Sequence, residues 1–270
     1  ESTSPVILRV VSSDPAIIAP ADVQIAFRST TPRDANRDNR TLTFKPRPHR
    51  NGAVVLTVIA QAGASEPVQL EIPVQIRAVN DPPAFTGAIN SGAFSLAPIN
   101  EDVPSDLNTG TSVKAILDGS ANPARPSGIG WSDQDGAGAL RGIAIVSAQR
   151  TNGDWQYSLD GGSTWNSLQY RDSRIGSNID VSYTRALLLP ADDAQQARLR
   201  FLPKADYAGY FRGNALTFLA WDQTTGSPGT FVDISRVGGE AGSAFGNFAM
   251  VVADVMQVND RPELRIDREV

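Results

Sequence analysis

Apolar residues in this chain occur in short runs that are bounded by glycine, proline, asparagine and aspartate. Typical runs are Val6–Val11, Val54–Ile59 and Asn247–Val252, and parts of them alternate between apolar and polar positions. Few segments keep an apolar period of about 3.6 residues long enough to build a core helix. We expect one short helix, at Val113–Leu117. The pattern therefore predicts an all-β protein.

One short pattern occurs twice and closes a predicted strand each time. Val79-Asn80-Asp81-Pro82-Pro83, the first stop, follows the apolar run Ile72–Ile76. Val258-Asn259-Asp260-Arg261-Pro262, the second stop, follows the run Met250–Met256. Proline has no N–H to donate and keeps the preceding residue extended, so a strand cannot continue through it. Each stop therefore marks the end of a predicted domain.

The residues ahead of the two stops also resemble one another. Leu42–Pro46 matches Leu199–Pro203, and Leu56–Ala60 matches Leu216–Ala220. Such self-similarity indicates tandem modules, and the chain is expected to be a piece of a longer array. The predicted parts are a β-sandwich truncated at its N-terminus over residues 1–82, a larger β-sandwich with long loops over 83–262, and the start of the next repeat or a linker over 263–270.

Composition excludes several classes of partner. The chain has 270 residues, 24 basic and 29 acidic, with a net charge of −5 and no cysteine. Arginines are scattered and are not interleaved with aromatic residues, so nucleic acid is not an expected partner. No apolar run reaches the roughly 18 residues of a membrane span, so membrane insertion is not expected either. We expect a monomer.

Acidic and amide residues cluster where predicted strands end, which favours calcium. Ca²⁺ binds six to eight oxygen atoms from carboxylates, amides and backbone carbonyls on loops. If the strand ends meet at one pole of a sandwich, one site can gather them all. The alternative is that each aspartate only caps a turn, its commonest use before glycine. The predicted ligands are Glu101, Asp102, Asp133, Asp135, Asp222, Asn259 and Asp260.

This prediction treats the two stops differently. The second stop is expected to be the calcium joint, with Glu101, Asp133, Asp135 and Asp222 as its partners. The first module has Ala60-Gln61-Ala62 where the second has Asp222, so the first stop is expected to be a hinge. An EF-hand is excluded, because the twelfth position counted from Asp133 is Ala144 and not glutamate.

A glycine-rich turn lies between two predicted strands at Ser158–Trp165. Asp160-Gly161-Gly162 predicts a hairpin, since glycine tolerates positive φ. The stretch resembles the Asp-box of sialidases, in which Asp, Ser and Thr side chains bond the turn backbone and Trp packs beneath it. The resemblance implies a structural role for this turn.

Catalysis is not expected. His49 is the single histidine and lies in a turn-like run with prolines, Pro46–Arg50. No serine near it has a nucleophile-elbow context. A sialidase-like glycosidase is the less favoured alternative, because such enzymes repeat the Asp-box and gather arginines around a Tyr/Glu pair, and one box without that constellation occurs here.

The order of motifs resembles a known family. Glu101, Asp133-Gln134-Asp135, Ala220-Trp221-Asp222 and Asn259-Asp260 follow the cadherin plan for junctional calcium. Bacterial cadherin-like and Ig-like repeats of large surface adhesins use the same Val-Asn-Asp-x-Pro punctuation. Residues 99–262 are similar to a large module of repeats-in-toxin (RTX) adhesins, some of which bind peptides through calcium.

The resemblance implies a non-catalytic protein of the bacterial cell surface, extracellular, with Ca²⁺ stiffening its joints. Its expected partners are neighbouring repeats of the same chain and a peptide or glycan on a host or neighbouring cell. Two functions remain open at this point. The large module is either a ligand-binding head, its long loops forming the recognition surface, or a spacer in an adhesin stalk.

Overall fold

The computed structural model describes residues 6–27, 40–87, 94–127, 129–136, 138–192, 196–211, 215–236, 243–260 and 262. The chain divides into two compact units, Glu1–Val79 and Asn80–Val270. The division falls inside the first stop, so that Asn80 and Asp81 belong to the second unit. The expected linker at 263–270 lies outside the described residues.

The first unit is a small all-β structure. Strands β1, β4 and β5 form an antiparallel sheet in the order β1-β4-β5, and β2 pairs with β3. Ile17, Ile18, Val54 and Leu56 form its buried core. A 3₁₀ turn at Pro20–Asp22 leads into β2. The strands are β1 Val6–Ser12, β2 Val23–Phe27, β3 Arg40–Phe44, β4 Gly52–Ala62 and β5 Val68–Ile76.

The second unit contains the other described elements, which are strands except for one short helix. The strands and the helix, in chain order, are β6 Ala84–Thr86, β7 Phe94–Ser95, β8 Ile99–Asn100, β9 Thr111–Ser112, α1 Val113–Leu117, β10 Gly130–Ser132, β11 Gly142–Ala148, β12 Gly153–Ser158, β13 Asn166–Ser167, β14 Tyr170–Asp172, β15 Ser177–Ile179, β16 Ala186–Pro190, β17 Arg198–Pro203, β18 Gly209–Tyr210, β19 Leu216–Trp221, β20 Phe231–Val232, β21 Phe245–Val252 and β22 Asp254–Met256.

Two large sheets enclose the core of the second unit. The first has the order β20-β16-β11-β19-β21-β7 and the second β13-β12-β17-β9. Ile143 and Phe218 from the first sheet share one buried cluster with Trp155 and Leu199 from the second. Smaller sheets complete the unit, in the orders β18-β22-β8, β10-β6 and β14-β15. The predicted all-β class is confirmed.

The predicted helix at Val113–Leu117 is confirmed as α1. Its first residue is preceded by Ser112, whose Oγ accepts a hydrogen bond from the backbone N–H of Ala115 at 3.4 Å. Such a cap satisfies one of the donors that a helix start leaves open. Val113 and Ile116 are fully buried, so the helix closes one side of the core.

The five strands described in the first unit have counterparts in the second, in the same chain order. Strands β11, β19 and β21 pair as β1, β4 and β5 do, and β12 pairs with β17 as β2 does with β3. Leu56 lies opposite Ile72, and its counterpart Leu216 lies opposite Val251. The sequence repeat is therefore also a repeat of strand pairing.

Candidate metal centres at the two ends of the second unit

Two strand ends meet where the second unit begins. Strand β10 ends at Ser132, which pairs with Ala84 just after the first stop, so Asp133 lies beside that stop. Strand β19 ends at Trp221, and the N–H of the next residue, Asp222, donates to the carbonyl of Ala244 at 3.1 Å. We call the residues gathered here the Asp133 cluster: Asn80, Asp81, Asp133, Asp135 and Asp222.

The first stop is held on the second unit by side-chain hydrogen bonds. Asn80 Nδ2 donates to Asp222 Oδ2 at 2.8 Å and to the carbonyl of Ser243 at 3.0 Å. Gly246 allows the approach of this segment, because a Cβ there would collide with the carbonyl oxygen of Pro83. Asn247 Oδ1 accepts from the N–H of Phe85 at 2.7 Å. The junction residues are therefore part of the second unit.

Asp222 is buried and well bonded. The residue is 3% exposed, and Oδ1 accepts from the N–H of Thr224 at 2.8 Å and from Thr224 Oγ1 at 2.6 Å. Together with Asn80, these donors fix both carboxylate oxygens. Hydrogen bonds of this kind hold the carboxylate in one orientation.

Asp133 and Asp135 form a chain of contacts with the first stop. The N–H of Asp81 donates to Asp135 Oδ2 at 2.9 Å, and the N–H of Asp135 donates to Asp133 Oδ1 at 2.8 Å. The second oxygen of Asp133, Oδ2, is buried and has no hydrogen-bond partner among the described residues. A buried carboxylate oxygen without a partner is costly, and a cation is the natural partner for it.

Electrostatics at this end disfavour the ionised form of Asp133. Burial raises its pKa, and the negative charges of Asp135, Asp222 and Asp81 raise it further. The hydrogen bond from the Asp135 N–H acts in the opposite direction without cancelling these effects. A cation bound among these four carboxylates would offset their mutual repulsion and the cost of burying the charge of Asp133.

A second acidic group lies where the second unit ends. Carboxylate oxygens of Asp102, Asp206 and Asp260 all lie within 4.8 Å of one another, and all three residues are exposed. The N–H of Asp206 donates to Asp102 Oδ1 at 3.2 Å. Beside them the buried Glu101 accepts from the N–H of Val258 through Oε1, at 2.7 Å. We call Glu101, Asp102, Asp206 and Asp260 the Asp102 cluster.

The prediction that Asp133, Asp135 and Asp222 join Glu101 at the second stop is wrong. Trp221 pairs with Phe245 at one end of β21, whereas Leu216 pairs with Val251 at the other. Asp222 therefore lies near the start of β21, and the second stop follows β22 beyond its end. The eight residues of β21 alone span about 25 Å.

The structure thus divides the predicted set between the two ends. Asp133, Asp135 and Asp222 lie with the first stop, which was expected to be a hinge. Glu101, Asp102 and Asp260 lie with the second stop. Asn259 is exposed there, and its Nδ2 donates to the carbonyl of Asp260 at 3.2 Å, as Asn80 Nδ2 does to that of Asp81 at 3.3 Å.

Three members of the clusters were not among the predicted ligands. Asn80 and Asp81 have the same motif as the second stop, so the repeat itself was a usable signal. Asp206 lies in a turn after β17 and has a positive φ of 59°, similar to the φ of 56° at Asp102. No spacing in the sequence connects Asp206 with Asp102, and only the fold brings them together.

The predicted Asp-box turn forms with its expected hydrogen bonds. Asp160 accepts from Ser158 Oγ at 2.7 Å, from the N–H of Thr164 at 2.9 Å and from Thr164 Oγ1 at 2.7 Å. These bonds, led by the one from Ser158, lower the pKa of Asp160. The guanidinium carbon of Arg200 lies 4.1 Å from the ring centre of Trp165. The carboxylate is thus engaged in holding its own turn.

His49, the histidine considered for catalysis, is exposed in a turn of the first unit and has a φ of 56°.

Among the described residues, no helix combines the length and the apolar character that crossing a membrane requires.

Comparison with known proteins assigns no family to this chain. No family model matches the sequence. No curated protein matches it either.

Proposed function

We propose that the second unit is a calcium-binding module of an extracellular adhesin, with one calcium site at each end. The observation that carries the proposal is the buried, unpartnered Oδ2 of Asp133 among three further carboxylates. The candidate ligands are all oxygen atoms, from carboxylates in loops and from the first stop. Such a set suits Ca²⁺ better than a transition metal.

The positions of the two clusters support a role as joints. The Asp133 cluster includes the first two residues of the second unit, and the Asp102 cluster includes Asp260 of the second stop. A cation that binds a stop and the body of the module together restricts the direction in which the chain leaves it. This is the behaviour that a cadherin-like repeat of a bacterial surface adhesin requires.

Calcium is expected in preference to magnesium at the Asp133 cluster. The candidate ligands come from two strand ends, a turn and a half-buried junction, so their oxygens form an irregular set. Mg²⁺ demands near-ideal octahedral geometry and releases its water reluctantly, whereas Ca²⁺ accepts irregular sets of six to eight oxygens.

A second function, ligand binding, is supported by a groove at the Asp102 end. The groove has a volume of about 270 Å³ and is lined by residues 97–100, 103 and 107–111. These residues flank Glu101 and Asp102 on both sides. A peptide or glycan in this groove would lie beside a calcium ion, as expected for the ligand-binding head; without such a ligand, the module is a spacer.

Calcium binding is tested by isothermal titration of the metal-free chain with CaCl₂ and, separately, MgCl₂. We expect two calcium sites, of which Asp133→Asn removes one. The matched control is Asp233→Asn, because Asp233 also accepts from the N–H two residues ahead, at 2.9 Å, but belongs to neither cluster. No heat of calcium binding in the unsubstituted chain would refute the proposal.

Ligand binding is tested separately with peptide and glycan arrays on the calcium-loaded chain. A hit that is lost on chelation and on Asp102→Asn supports the head. If no peptide or glycan binds while calcium binding is retained, the result supports the spacer and does not contradict the calcium sites.

A further inference from the structure

The first unit has an open apolar groove between its two sheets. The groove has a volume of about 290 Å³, and its lining includes Leu42 from β3, Val58 from β4 and Leu70 and Ile72 from β5. Val68 and Leu70 lie on this inner face of β5, and they are 71% and 62% exposed. Apolar residues of a sandwich interior are normally covered, so this face lacks its cover within the described residues.

The second unit shows which residues cover the equivalent face. With Leu56 equivalent to Leu216, Ile72 is equivalent to Val251 and Leu70 to Ala249. The difference in residue number between Ile72 and Val251 also separates Asn80 of the first stop from Asn259 of the second. The strand pairing and the two stops therefore give the same alignment of the units. Val251 and Ala249 are fully buried, whereas Leu70 is mostly exposed.

The cover in the second unit is the segment Phe94–Leu117. Its strand β7 pairs in parallel with β21, with Phe94 opposite Val251. Its strand β9 pairs with β17, with Thr111 opposite Leu199, the counterpart of Leu42. Its helix α1 then adds Ile116 and Leu117 to the core.

Both strand edges that this segment uses are open in the first unit. Among the described residues, β5 is an edge of its sheet and β3 has β2 as its one partner. An incoming segment could therefore pair with β5 at Ile72 and with β3 at Leu42, the two sides of the groove. Open edges beside exposed apolar side chains accept an added strand.

The chain order identifies the source of that segment. In the second unit Phe94–Leu117 precedes β11, and the counterpart of β11 is β1. We propose that the groove of the first unit receives a strand–turn–helix segment, equivalent to Phe94–Leu117, that the same polypeptide supplies ahead of β1. Its apolar residues fill the space above Leu70 and Ile72, and its backbone pairs with β3 and β5.

Cysteine labelling tests this proposal, because the chain has no cysteine of its own. Leu70→Cys is placed in the 270-residue chain and in a version extended upstream by the preceding module of the parent polypeptide. We expect rapid labelling in the first protein and labelling slower by at least about tenfold in the second, as for a group exposed only by opening. Ile7→Cys is the matched control: Ile7 is 67% exposed, on the opposite face of the same sheet.

The labelling has three outcomes that overturn the proposal. Equal rates for Leu70→Cys in both proteins would show that no upstream segment covers the groove. Slow labelling already in the 270-residue chain would show that this chain covers the groove itself. Protection that rises with protein concentration would identify a second copy as the occupant.

Hydrogen exchange gives a second test of the same proposal. Leu70→Asp should accelerate exchange in β4 of the extended protein but not in β4 of the 270-residue chain. Ile7→Asp should accelerate it in neither protein.

Discussion

The substitution Asp133→Asn should have opposite effects on the calcium-free and the calcium-loaded protein. Burial and the charges of Asp135, Asp222 and Asp81 raise the pKa of Asp133, so its ionised form weakens the calcium-free fold at neutral pH. Asparagine is neutral and keeps the oxygen that accepts from the N–H of Asp135. We therefore expect Asp133→Asn to stabilise the calcium-free protein and to abolish the stabilisation by calcium at this end.

The size of the calcium effect follows from ligand linkage. Extracellular calcium modules have Kd values of about 10⁻⁴–10⁻³ M. At 10 mM calcium, roughly 10 to 100 times Kd, one site adds about 1.4–2.7 kcal/mol to the free energy of unfolding. For a domain of this size class, that free energy raises the Tm by about 3–10 °C. Asp133→Asn should remove the rise in Tm that calcium causes at the Asp133 cluster. The rise caused by calcium at the Asp102 cluster should remain.

Tryptophan fluorescence during heating measures this effect in the second unit alone. All four tryptophans, at positions 131, 155, 165 and 221, lie in that unit. The melting curve is recorded in chelator and in 10 mM calcium, for the unsubstituted chain, Asp133→Asn, Asp206→Asn and the double variant. The clusters lie at opposite ends of β21, so their contributions should add.

Two results would refute the reasoning. If Asp133→Asn left the calcium-induced rise in Tm unchanged, Asp133 would not be a ligand. If Asp133→Asn lowered the Tm in chelator, the carboxylate would be stabilising the calcium-free fold, contrary to the raised pKa.

Four further predictions follow from the same contacts. As pH falls towards the raised pKa of Asp133, the calcium-free protein should gain stability relative to the loaded one, so that the calcium-induced rise in Tm shrinks between neutral pH and about pH 4; a rise that is constant with pH would contradict this. Asp160→Ala should lower the Tm equally with and without calcium; because the pKa of Asp160 is lowered, that loss should disappear in acid, as pH falls below 3.8 towards the folded value. Ile116→Ala, in the fully buried face of α1, should cost about 2–5 kcal/mol in urea unfolding, where a loss below that range would show that α1 is not part of the core. Gly246→Ala should weaken calcium binding at the first stop by displacing Pro83, and calcium titration should show the Asp102 site unaffected.

Much of the candidate site was visible in the sequence, but its grouping was not. Aspartates after strands, such as Asp133 and Asp222, are recognisable because a strand must end before its side chains can serve as loop ligands. Which strand ends share a pole depends on strand direction and register. Trp221 pairs with Phe245, and this pairing alone carries Asp222 to the first stop and away from the second.

The inference from Ala60-Gln61-Ala62 considered the residues of the first unit alone. The absence of an aspartate from the first unit led to the expectation that the first stop binds no calcium. The carboxylates that meet the first stop come from the second unit, through contacts such as that between Asn80 and Asp222 at 2.8 Å. A junction takes its partners from the body it lies on, and a linear sequence does not show which body that is.

By itself, the sequence determined the local structure of this protein. Short apolar runs between turn residues specify strands, Val113–Leu117 specifies the helix, and Ser158–Trp165 specifies a turn that bonds its own backbone, because each depends on neighbours a few residues away. Tertiary structure alone decided the two acidic ends, the burial of Asp133 Oδ2 and the open groove at Leu70. These features arise between strands that are distant in the chain, where pairing register sets which groups lose water and which face one another.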